Sequence, residues 1–79
     1  MTLAPRNSRK LVSAKELSNA TRVSYAAINN YTDMGLLDIV AKQNRVRMYD
    51  AAQAKERLVM IGKLISEGYT LRVIGKLLR

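Results

Sequence analysis

Apolar residues recur along the chain at helical spacing in several blocks, and each block is preceded by a residue able to cap a helix. Val12, Leu17 and Ala20 form the first stripe, and Ser13-Ala-Lys-Glu16 within it has the Ser-x-x-Glu form of a capping box. This pattern predicts a helix of about two turns ending near Ala20. Ile28, Tyr31 and Met34 form the second stripe, bounded by Ser24 as the cap and by Gly35, which can take the left-handed conformation that ends a helix. Thr21, Arg22 and Val23 lie between the two helices, a connection short enough for a helix-turn-helix. Helix pairs of this kind are common in all-α domains, so spacing alone does not establish a function.

From Asp38 the pattern changes. β-branched and apolar residues, Ile39-Val40-Ala41 and Val46-Arg47-Met48-Tyr49, stand on either side of a polar run from Lys42 to Arg45. A β-hairpin over 39–49 is predicted, with Asn44 supplying the positive φ of its tight turn where no Gly is present. Asp50 then caps a longer helix with Ala54, Leu58, Ile61 and Ile65 as its buried stripe, ending at Gly68. Thr70 caps a fourth helix carrying Leu71, Ile74, Leu77 and Leu78. Packing accounts for Met34, Met48 and Met60. The predicted fold class is mostly α: four helices and a small two-stranded β-hairpin, with residues 12–79 as one domain and residues 1–11 as a flexible basic arm.

Charge narrows the function. The 79 residues include 14 Lys and Arg against 6 Asp and Glu, a formal net charge of +8, which directs attention to polyanionic partners. Cys and His are both absent. Thiolate and imidazole metal sites are thereby excluded, and no metal and no cofactor is expected. The few carboxylates are scattered, with no Gly-rich phosphate loop and no nucleophile and base at workable spacing, so the chain is not expected to be an enzyme. No apolar run approaches the length of a membrane span or of a signal peptide, and a cytoplasmic, nucleoid-associated location is expected. The basic amphipathic segment 58–79 is interrupted by Gly68 and Thr70, which fits two packed helices better than a membrane-surface helix.

Two surfaces carry candidate chemistry. On the second helix, Tyr25, Ala26, Asn29, Asn30 and Asp33 fall outside the buried stripe, giving a face of hydrogen-bonding groups and one small residue. Asn can pair bidentately with adenine, and Ala26 leaves room for a thymine methyl or for close backbone approach. Tyr25 and Asn30 can equally donate to phosphate oxygens. On the hairpin, Lys42, Arg45 and Arg47 are uninterrupted by any acid between Ala41 and Tyr49, the make-up of a phosphate clamp.

Taken in order, Val23-Ser24, Ile28, Tyr31, Gly35-Leu36-Leu37, Arg47-Met48-Tyr49-Asp50 and Glu67-Gly68-Tyr69-Thr70-Leu71 resemble the DNA-binding domain of the MerR family of bacterial transcription regulators. The resemblance covers about Val12 to Arg79. It implies a winged helix-turn-helix whose second helix, Ser24 to Met34, enters the major groove while the hairpin wing rests on the backbone. Tyr25, Ala26 and Asn29 would then face bases, and Arg47 with Lys42 or Arg45 would hold phosphates. One departure stands out: where the family usually carries an Arg in the second helix, this chain has Ala26, Ala27 and Asn29, and no cation lies between Val23 and Val40. Affinity is therefore expected to lean on Lys15, Arg22, the wing and the last two helices, with Ser24 at the end of the helix that meets DNA.

The partner implied is double-stranded DNA. Family members pair through a long C-terminal helix that these residues do not contain, so a dimer or several copies on DNA are expected through a segment outside this chain or through contacts made on the DNA. Two alternatives stand beside sequence-specific regulation. One is a small excisionase-like architectural DNA-binding protein; the other is a winged-helix module docking on an acidic protein.

Overall fold

A computed structural model describes residues 10–78, and the expected arm lies outside them apart from its last two positions. The elements in chain order are β1 (Leu11–Ser13), α1 (Ala14–Thr21), α2 (Tyr25–Asp33), β2 (Ala41–Gln43), β3 (Val46–Asp50), α3 (Ala51–Ser66) and α4 (Leu71–Leu77). Four helices and a small antiparallel sheet make a mostly α winged helix-turn-helix. The sheet has three strands in the order β1-β3-β2, not the two expected. Leu11, Val12 and Ser13 pair with Asp50, Tyr49 and Met48 along the far edge of β3. Ala51 N–H extends that pairing by donating to the Lys10 carbonyl at 2.9 Å. Val12 therefore belongs to a strand and not to the first helical stripe, and Leu11 and Lys10 are anchored where a solvated arm was expected. The physical reason is the row of donors and acceptors on β3, which an unpaired edge would leave open.

Side-chain caps start every helix. Ser13 and Glu16 form the reciprocal capping box, Glu16 N–H donating to Ser13 Oγ at 3.2 Å and Ser13 N–H to Glu16 Oε1 at 2.8 Å. Ser24, Asp50 and Thr70 accept from Ala27, Gln53 and Val73 N–H in the same way. The helix ends are equally local. After α2, Leu36 N–H reaches the Tyr31 carbonyl and Gly35 N–H the Thr32 carbonyl, a Schellman closure with Gly35 at φ 82°. After α3, Gly68 at φ 98° does the same, with Tyr69 N–H on the Leu64 carbonyl and Gly68 N–H on that of Ile65.

The core gathers Val12, Leu17, Ile28, Leu36, Leu37, Tyr49, Leu58, Ile61 and Ile74, so that every helix and the sheet contribute to one cluster. Arg57 adds a polar tie between the last two helices by donating to the Leu78 carbonyl at 3.4 Å. Four expected core members lie elsewhere: Ala20, Met60, Ile65 and Leu77 are exposed. Ile65 and Leu77 sit in the final turns of their helices, where Leu64 and Leu78 take the places against the core.

Candidate nucleic-acid interface

The turn that joins α1 to α2 is built from three residues. Arg22 adopts the left-handed conformation at φ 65° and closes α1 with its N–H on the Ser18 carbonyl at 2.9 Å. Thr21 Oγ1 donates to the Leu17 carbonyl at 2.8 Å and accepts from Val23 N–H at 3.3 Å, turning the backbone toward Ser24. The wing turn is equally tight. Gln43 pairs with Val46, and Asn44 at φ 52° and Arg45 at φ 70° are the two central residues of a type I′ turn. Asn44 was legible as a positive-φ residue; Arg45 in that role was not.

Two contacts set the wing against α2. Tyr49, fully buried on β3, has its hydroxyl 2.8 Å from Thr32 Oγ1, which also lies 2.8 Å from the Ile28 carbonyl. Thr32 has one proton and gives it to the carbonyl, so Tyr49 is the donor in the pair. On the surface, the Arg47 guanidinium donates to Asp33 Oδ1 at 2.8 Å. That hydrogen bond raises the Arg47 pKa further above its already high ordinary value. Arg47 also stands directly opposite Lys42 across the β2–β3 ladder. Like charges in that register repel, and Asp33 offsets part of the repulsion from outside the sheet.

Between α1, the start of α2 and the wing tip lies an open groove of about 890 Å³. Lys15, Ser18 and Asn19 form its α1 wall, Tyr25 and Asn29 its α2 wall, and Arg45, Val46 and Arg47 its wing wall, with Ser13 and Ala14 at the strand-to-helix junction. Three cations thus converge from two elements on a wall that carries no acid. Lys15, Tyr25, Asn29, Arg45 and Arg47 were all singled out in the sequence, and the fold brings them together. Arg22, Ser24, Ala26, Asn30 and Lys42 are exposed but line other surfaces. Lys55, Lys63, Arg72 and Lys76 of α3 and α4 do not line the groove either. Ser18 and Asn19 were missed. They are ordinary polar positions of a short helix, Ser18 half-buried and Asn19 exposed, and only their placement opposite the wing gives them chemistry.

The arrangement is a helix-turn-helix and a basic wing enclosing one concave, cation-lined surface. Residues 12–79 match the family model described as the MerR HTH family regulatory protein. The chain belongs to the MerR family. This MerR domain is a DNA-binding regulator domain, as its resemblance implied. Comparison with curated proteins and with solved structures returned no significant match. Among the described residues of the MerR domain, no helix is long and apolar enough to cross a membrane, and no group of three or more acidic, His or Cys side chains could hold a metal ion.

Proposed function

We propose that this MerR domain binds double-stranded DNA sequence-specifically, with α2 in the major groove and the wing on the phosphate backbone. The observation that carries the reading is the convergence of Lys15, Arg45 and Arg47 on the groove beside the cation-free outer face of α2. A polyanion laid in that groove meets cations from both sides, while Tyr25, Ala26, Asn29 and Asn30 meet base edges and sugar-phosphate oxygens. Arg22 and Lys42, exposed outside the groove, extend the phosphate contacts. Ser24 keeps its hydroxyl proton for a phosphate oxygen while its oxygen caps α2. One domain offers few base contacts, so the functional unit is two or more copies on neighbouring half-sites.

Lys15, Arg22, Lys42, Arg45 and Arg47 amount to about five phosphate contacts, for which the logarithm of affinity falls with the logarithm of salt at a slope near −4.5. Titration of a fluorescent duplex at several salt concentrations measures it, and a slope near zero contradicts the reading. A second reading draws on one observation: α2 has no cation of its own. An acidic protein surface would fit the same groove. It predicts capture of an acidic partner that Arg47→Ala weakens, together with no binding to any duplex at low salt.

A further inference from the structure

Residues 25, 29 and 33 stand four apart and form one ridge of α2; residues 26 and 30 form the neighbouring ridge. The two ridges face different surroundings. Tyr25 and Asn29 line the groove, and Asp33 holds Arg47 of the wing, so the whole first ridge is turned toward the wing. Asn29 is half-buried there, and its Nδ2 donates to the Tyr25 carbonyl at 3.3 Å, committing one of its two amide protons. On the second ridge Ala26 and Asn30 are exposed, nothing from the wing or α1 encloses them, and the Asn30 carboxamide makes no hydrogen bond to the described residues.

A duplex that places a strand's phosphates in the cation-lined groove brings its base edges over the ridge beyond it. We infer that Asn30, not Asn29, is the carboxamide of α2 that reads a base, and that Asn29 belongs to the backbone side of the interface with Tyr25. This assignment rests on the proposed DNA binding. Asn30 has both of its amide protons and its oxygen free to accept from adenine N6 and donate to N7. Ala26, one turn before it, is small enough to let that ridge approach the floor of the major groove. Asn29 contributes its remaining amide proton at the level of the phosphates, where it holds any sequence alike.

The experiment selects bound fragments from a random duplex library with the wild-type chain, Asn29→Ala and Asn30→Ala, and then measures affinity for the selected site and its single-base variants. Both variants place a better helix former at a solvent-accessible position, and thermal melting followed by circular dichroism checks that each is folded. The expected result is that Asn30→Ala loses about 10- to 100-fold discrimination at one base pair. Asn29→Ala keeps every preference and weakens all duplexes by a similar factor. Preference lost in Asn29→Ala, in both variants or in neither overturns the assignment while leaving DNA binding intact. A wild-type chain that binds no duplex at low salt overturns the proposed function, and the assignment with it.

Discussion

Four turns among the described residues reverse the chain through left-handed residues, and they divide into two pairs. Gly35 and Gly68 end α2 and α3, while Arg22 turns the helix-turn-helix and Arg45, beside Asn44, the tip of the wing. The backbone requirement is the same at all four, with φ between 65° and 98°. The side chains differ because the surroundings do. The glycines close helices, where nothing beyond the backbone angle is asked of them. Arg45 lines the groove and Arg22 is exposed at the turn before α2, positions where a cation serves the proposed phosphate binding. A side chain in this conformation costs about 1–2 kcal/mol, so Arg22 and Arg45 hold charge at the expense of stability.

The comparison breaks most visibly at Gly35. Gly35→Val places a β-branched side chain at φ 82° and is expected to lower unfolding free energy by about 2 kcal/mol in urea titration, with DNA affinity per folded molecule little changed. Arg45→Gly runs the other way. Relief of strain of about 1–2 kcal/mol exceeds the extra unfolded-chain entropy of about 0.4–1 kcal/mol, so the variant is expected to gain ~0.5–1 kcal/mol. Its salt slope should shrink by about 0.9 as one phosphate contact is lost. An Arg45→Gly chain that is more stable and binds DNA as well as wild type would remove the reason for the arginine. Arg22→Gly sharpens the pattern, with a gain of about 0.5 kcal/mol or less and weaker binding to every sequence alike. The mildest change is Asp33→Asn, which removes a negative charge beside the duplex and frees Arg47 from its partner. A few-fold tighter binding to all duplexes with unchanged base preference is expected, read by the same fluorescence titration.

Caps and helix ends were legible in the chain because they depend on residues a few positions apart. Ser13 with Glu16, Ser24, Asp50 and Thr70 each reach a backbone N–H three residues on, and Gly35 and Gly68 act within their own turns. β1 was not legible. Leu11-Val12-Ser13 is too short to show a period, and its extended form comes from pairing with β3 across some forty residues of chain. The site divides in the same way. Cations on the hairpin announced themselves by the missing acids around them, whereas Ser18 and Asn19 gained a role only when the wing was folded against α1. The tie between Arg47 and Asp33 likewise depends on how the wing packs on α2, and neither residue carries a mark of it in the sequence.

The groove's role as the DNA surface is tested most directly by titrating a duplex into the 15N-labelled domain and following its amide resonances. The account predicts that shifts concentrate at Lys15, Ser18, Asn19, Tyr25, Asn29 and Arg45 to Arg47, extend to Ala26 and Asn30, and leave the exposed side of α3 and α4 around Val59 and Val73 unmoved. Shifts centred on α3 and α4 with the groove silent would contradict it.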